Sequence, residues 1–318
     1  MIYSKEGNLF KVIEVWNNMK EKTPINFHIH STGSDGKLTP EEVVKEAIRA
    51  GIQYMCFTDH CSFPLKFKET RGPHHPTYLK GITHLQERRK NFHNRGYVNE
   101  IKNIQKEYGD EIDLSFGIEL DWLEYDLGWM KSEIKKQDYD YILGSVHSVP
   151  SQGMYWPIIM KEEAREKFIE IANEWFGCVK NLVKAYYRQI RNLTNSGLFD
   201  SIAHFDLIKM YNADSSLFSE DSDWYKQEIA ETLDVIKKRG IAIEINVHGL
   251  IKVTNAQYPS LWILKESRKR NIPITIGTDA HRSGEVSLDL DKAYDLARKA
   301  GYSEIVRFKA RKMIPIKI

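Results

Sequence analysis

The chain has 318 residues, 42% of them hydrophobic and 28% charged, enough apolar material for a sizeable core. Its 46 Lys and Arg nearly balance 44 Asp and Glu, a formal charge of +2, which excludes a general nucleic-acid or membrane-surface binder that works by massed charge. The three cysteines, Cys56, Cys61 and Cys178, form no CxxC pair. No run reaches the roughly 18 apolar residues of a membrane span, and the first residues carry early charges with no signal-type apolar run. A cytoplasmic location without a disulfide framework is the resulting expectation.

Residues 1–23 read as an N-terminal extension, a helix packed outside the main body. From residue 24 a rhythm sets in: a short β-branched apolar run, a loop, then a longer amphipathic stretch. Strands are predicted at 26–30, 54–60, 113–120, 139–147, 200–205, 241–247 and 273–279 from their length and residue type. The first helix begins at Thr39-Pro40-Glu41-Glu42, with Thr39 as N-cap, Pro40 in the first turn and Glu42 closing a capping box; Gly51 stops it. An insert at about 61–112 is a possible lid. It carries Arg71 as a phosphate-contact candidate, the His74-His75 loop, and a charged helix with His84 and His93. Further helices are predicted over 161–195, 224–239, 261–270 and 291–300, with Gly240 and Gly301 as stops.

Strand–helix alternation predicts a parallel sheet with crossover helices. The polar residues decide between an open sheet and a barrel. His28 and His30 end the first predicted strand, Asp59 and His60 the second; Glu119 lies near the end of the third, and His147 ends the fourth. His204 lies on the fifth, while Asp279 and His281 close the seventh; the sixth offers Asn246. In a flat sheet, with about 4.8 Å per strand, these ends could not meet. In a barrel the C-terminal strand ends surround one cavity. Residues i and i+2 share a face, so His28 and His30 point together, as do Asp279 and His281. Imidazoles mixed with carboxylates suit Zn, Mn or Fe. A lone HxH is a weak signal, but six of the eleven histidines falling at strand ends is a strong one.

The runs His28-Ile29-His30-Ser31-Thr32-Gly33-Ser34-Asp35-Gly36, Phe57-Thr58-Asp59-His60, Gly117-Ile118-Glu119, Gly144-Ser145-Val146-His147, Ala203-His204-Phe205-Asp206 and Gly277-Thr278-Asp279-Ala280-His281 resemble, in order, the motifs of the polymerase-and-histidinol-phosphatase (PHP) superfamily. The runs at 203–209 and 243–246 are most similar to its monofunctional histidinol-phosphatase branch. The resemblance implies an α/β fold, a distorted (β/α)7 barrel of TIM-like type with its active site at the C-terminal strand ends, occupying 24–318. It also implies two or three divalent ions. His28, His30, Glu119 and Asp279 would hold one, Glu119 with His147 and His204 a second, and Asp35, His60 and His281 a third. Glu119, Asp279 and His281 would carry the catalysis. After Asn246 this chain departs from the branch's usual small polar residues and Gly, reading Val247-His248-Gly249-Leu250.

The implied activity is hydrolysis of a small phosphorylated substrate, L-histidinol phosphate, in histidine biosynthesis, through in-line attack by a metal-activated hydroxide. Two alternatives stand beside it: a phosphodiesterase or nuclease of the same superfamily, and a non-catalytic metal-binding domain. Neither nucleic acid nor membrane is an expected partner, and the oligomeric state is open. Arg282, Lys209, His248 and Asn246 are substrate-contact candidates. Asp121, Glu124 and Asp126 are candidates for an amine, and Asp59 for orienting His60 or a water.

Overall fold

The computed structural model describes residues 24–61, 95–152, 154–158, 164–252 and 254–318. The expected N-terminal helix, Arg71, His74, His75, His84 and His93 lie outside these residues.

The barrel strands are β1 (Ile25–Asn26), β2 (Tyr54–Phe57), β3 (His60–Cys61), β4 (Asp113–Asp121), β5 (Tyr141–Ser145), and, after the hairpin β6 (Ser148–Ser151) and β7 (Met154–Pro157), β8 (Ser201–Ile202), β9 (Ala242–Asn246) and β10 (Ile274–Gly277). All neighbours in the order β1-β2-β4-β5-β8-β9-β10 are parallel. β3 continues β2: Phe57 pairs with Phe116 and His60 with Glu119, one register on both sides of a break at Thr58-Asp59. The ring shuts between first and last strands, where Phe27 N donates to Ile276 O (2.8 Å), Asp279 N to His28 O (2.8 Å) and His30 N to Ala280 O (2.9 Å). This is the predicted seven-stranded parallel barrel. Its strands read as near-continuous apolar runs because both faces are buried.

Except at β4, which runs one residue past its predicted end, the regular pairing is shorter than the predicted strands, most of all at β1 and β8, where the residues past the pairing leave the ladder to enter the site. The helices are α1 (Pro40–Arg49), α2 (Arg95–Glu107), α3 (Leu127–Ile134), α4 (Ala164–Phe176), α5 (Val179–Ser196), α6 (Asp223–Arg239), α7 (Leu261–Lys269) and α8 (Leu290–Lys299). Helix α1 starts with the predicted capping box: Thr39 N donates to Glu42 Oε2 (2.8 Å) and Glu42 N to Thr39 Oγ1 (3.3 Å). The long helical region expected over 161–195 is two helices, parted at Gly177, whose φ of +79° no continuing helix accepts. Within the insert, α2 buries Tyr97, Ile101 and Ile104 in the core beside β4.

The last element has no counterpart among the predicted ones. β11 (Glu304–Lys309) and β12 (Lys312–Lys317) form an antiparallel hairpin at the N-terminal end of the barrel. Phe308 is fully buried there, stacked 4.5 Å from Tyr141. Lys309 and Arg307 reach Asp113 at the start of β4, Ala310 N donates to Asp140 before β5, and Arg311 forks onto Asp200 before β8. The hairpin therefore closes the end opposite the histidines. Among the described residues no helix is long and apolar enough to cross a membrane.

Candidate metal centre

The C-terminal mouth gathers all nine predicted residues into groups around Glu119, Asp279 and Asp35. Glu119, near the end of β4, is 1% exposed. His28 and His30 follow β1 and place their Nε2 atoms 3.4 and 3.5 Å from Glu119 Oε2, and 3.5 and 3.1 Å from Asp279 Oδ1. On its other oxygen, Glu119 Oε1 lies 3.5 Å from His147 Nε2 and 3.2 Å from His204 Nε2. A third group forms around Asp35 Oδ1, which faces His281 Nε2 at 3.1 Å, His60 Nε2 at 3.6 Å and His30 Nδ1 at 3.8 Å. His30 lies between the rings of His60 and His281, 4.2 Å from each. His60 joins two groups, since its Nδ1 is 2.7 Å from Glu119 Oε2.

Two of these residues leave regular backbone to get there. His204 has φ +27° and Asp279 φ +54°, a region that costs a non-glycine residue on the order of 1–3 kcal/mol. Each is tied down: His204 N donates to Glu244 Oε2 (2.8 Å) and Asp279 N to His28 O (2.8 Å).

The donor set fits divalent cations on the structure's own terms. His28 Nδ1 is 2.7 Å from Glu244 Oε1, and His147 Nδ1 is 2.5 Å from Asp121 Oδ1. A carboxylate on Nδ1 keeps the proton there and turns the Nε2 lone pair inward, as a metal ligand requires. His28 and His30 then bring their Nε2 atoms within 3.1 Å of each other, and His147 and His204 within 3.2 Å. Three imidazole nitrogens crowd the buried Glu119 Oε2, with His60 Nδ1 closest at 2.7 Å. Three overlapping sets of ligand atoms are each compact enough for one ion: His30, Asp35, His60 and His281; His28, His30 and Glu119; His60, Glu119 and His147.

The electrostatics agree. Burial works against charge on His28 and His60. Even so, Glu244, Asp279 and Glu119 raise His28 well above the usual histidine range, and Glu119 with Asp35 pushes His60 up to about 10. His147 and His281 are raised by their carboxylates in the same way, against burial. Burial, with His281 and His60 beside it, lowers His30 to about 4. Glu119 and Asp279 stay well below the carboxylate range despite burial, because imidazoles surround them. The pocket thus favours cations, protons or metals, and metals compete for the same lone pairs.

Several residues are placed differently from their sequence reading. The sixth strand contributes more than Asn246: Glu244, two residues earlier on the same face, reaches into the centre. Asn246 itself is knitted into the frame, donating to Glu244 Oε2 (3.1 Å) and Asp279 Oδ2 (3.4 Å). Asp59 does not orient His60; its carboxylate accepts from Ser31 N, Ser31 Oγ, Ser34 Oγ and Tyr97 Oη, and so pins the loop that carries Asp35. Asp121 is committed to His147, and Glu124 accepts from Gln189 and Asn192. Lys209, a substrate-contact candidate, is buried against Asp206 at 2.7 Å and donates to Ser260 Oγ (2.6 Å). Arg282 is exposed beside His281. His248 is buried with its ring 5.6 Å from that of His281 and its Nδ1 without a hydrogen-bond partner.

Comparison with known proteins fixes the class. The PHP domain model matches residues 26–248. A protein of Deinococcus radiodurans named probable histidinol-phosphatase is 30% identical over 287 residues, covering 90% of this chain and 94% of that one. The histidinol-phosphatase of Bacillus subtilis is 25% identical over 272 residues, covering 81% and 94%. In fold, the chain superposes with a TM-score of 0.64 on the histidinol phosphate phosphatase of Lactococcus lactis, crystallised with zinc, L-histidinol and phosphate. That alignment is 22% identical and covers 92% of this chain and 99% of the other. The chain belongs to the PHP domain family. With its barrel and its histidine–carboxylate centre, it is a metal-dependent phosphoesterase of that family.

Proposed function

We propose that this enzyme hydrolyses L-histidinol phosphate to L-histidinol and phosphate. The observation that supports the reading is the cluster itself: six histidines and three carboxylates come together at the barrel mouth in groups around Glu119, Asp279 and Asp35. The curated relatives named for this reaction span about nine-tenths of the chain, and one structure of the same fold holds L-histidinol and phosphate.

In this reading His28, His30, Glu119 and Asp279 would hold one ion, Glu119, His147 and His204 a second, and Asp35, His60 and His281 a third. Zinc, manganese or iron bound there would supply an activated water and would neutralise charge on the transferring phosphoryl group. The protein's own share is placement. Glu119 spans two positions with its two oxygens. Asp121 keeps His147 in the ligating tautomer. Asp59 fixes the Ser31–Gly36 loop and with it Asp35. His248, with an unpaired Nδ1 near His281, is placed to hydrogen-bond substrate, and Arg282 offers a guanidinium at the rim for phosphate.

The test is a substrate panel: phosphate release from L-histidinol phosphate, an aryl phosphate and an aryl phosphodiester, with manganese, zinc or chelator. Rapid metal-dependent turnover of L-histidinol phosphate above the aryl monoester is expected. Hydrolysis of the diester with L-histidinol phosphate untouched would replace this reading with a phosphodiesterase.

A further inference from the structure

Glu244 lies within β9, 1% exposed, and is not among the ligands assigned above. Its two oxygens serve two different histidines. Oε1 takes the Nδ1 side of His28 at 2.7 Å; Oε2 accepts the backbone N–H of His204 at 2.8 Å, with Asn246 Nδ2 as a second donor at 3.1 Å. His28 and His204 belong to separate ligand groups that share only Glu119. The pocket around Glu244 is tight: a Cβ on Gly277 would collide with its Oε1 and with His28 Cβ, so only glycine leaves room for this contact.

We propose that Glu244 is a positioning residue that sets two adjoining metal positions at once, fixing the tautomer of His28 with one oxygen and the strained backbone of His204 with the other. The inference rests on the metal-centre reading. Its chemical content is that both contacts need an acceptor. A carboxylate supplies two acceptors, whereas the amide of a Glu244→Gln variant, equal in shape, supplies one acceptor and one donor. With its NH2 group toward His28, that amide would donate to Nδ1 and drive the proton onto Nε2, the ligating atom. With the NH2 group toward His204, it would oppose a backbone N–H that has φ +27° to hold. Either way one of the two positions loses its support. Asp121 is the natural comparison, because among the ligands it orients His147 alone.

The experiment compares wild type, Glu244→Gln and Asp121→Asn, all stripped with chelator and then titrated with zinc by calorimetry, with bound zinc counted by elemental analysis. Circular dichroism and melting of the metal-free proteins report the fold. Loss of one carboxylate charge is common to both variants, so the number of weakened ions distinguishes positioning from charge. Glu244→Gln is expected to weaken two ions by roughly 10- to 100-fold each, and Asp121→Asn one, as partners of metal-bound histidines do. Unchanged zinc number and affinity in a folded Glu244→Gln overturns the proposal. Wild type that binds no zinc instead overturns the metal-centre reading itself. Should Glu244→Gln not fold, nitrogen-15 histidine spectra of zinc-loaded wild type decide. His28 protonated at Nδ1 with zinc on Nε2 supports the proposal; an unprotonated or zinc-bound Nδ1 refutes it.

Discussion

Glu119 offers one oxygen to the His28 and His30 side and the other to the His147 and His204 side, and no other described carboxylate stands at that junction. Glu119→Gln should therefore lower phosphate release by more than about 100-fold, since groups that merely orient ligands already cost roughly 10- to 100-fold. Thermal melting should show the barrel intact, and full activity in the metal-replete variant would contradict the bridging role. Lys209 makes a contrasting case. It pairs with Asp206, which is fully buried and whose carboxyl is raised by burial even though Lys209 counteracts the shift. Lys209→Met strands that carboxylate and should cost about 3–5 kcal/mol in denaturant unfolding, the usual penalty for breaking a buried pair. A raised KM with unchanged stability would show instead that Lys209 contacts the phosphate.

At the scale of elements, the mouth of the barrel depends on short strands that stop early. β1 and β8 pair over two residues each, and the chain beyond them bends to deliver His28, His30 and His204. The period-2 spacing makes His28 and His30 legible from sequence, and the same spacing puts Glu244 on one face with Asn246. Its role is not legible that way. A glutamate inside a buried strand reads as an exception unless its partner is known, and that partner, His28, lies 216 residues away. The capping box of α1 is legible because its two residues are three apart. The C-terminal hairpin is not. Its anchors are non-local: Arg311 reaches Asp200 and Lys309 reaches Asp113, 111 and 196 residues distant. Phe308→Ala should cost about 3–5 kcal/mol, as for other fully buried aromatics. Because the hairpin closes the opposite end of the barrel, kcat of the folded fraction at low temperature should stay near wild type. A loss of kcat equal to that of a ligand variant would mean that the two ends of the barrel are coupled.

Across the whole molecule, the two ends of the barrel divide the labour. The N-terminal end is closed by Phe308 on Tyr141 and by ion pairs and hydrogen bonds at three strand starts. The C-terminal end collects buried carboxylates and imidazoles that favour bound cations, protons or metals. Metal should therefore stabilise the fold as well as activate it. A ligand present at 100 times its dissociation constant adds about 2.7 kcal/mol, so chelation should lower the melting temperature measurably and zinc or manganese should restore it. The class of the protein is legible from sequence because its motifs fall at strand ends. The residues that read the substrate are not, since Asp121, Glu124 and Lys209 prove to be committed within the protein.

The most direct test of the account is a chelation and add-back assay on L-histidinol phosphate, with bound metal counted in the same samples. The account predicts that stripped protein releases no phosphate, and that activity returns in proportion to two or three divalent ions per chain. Full activity in protein shown to carry no metal would contradict it.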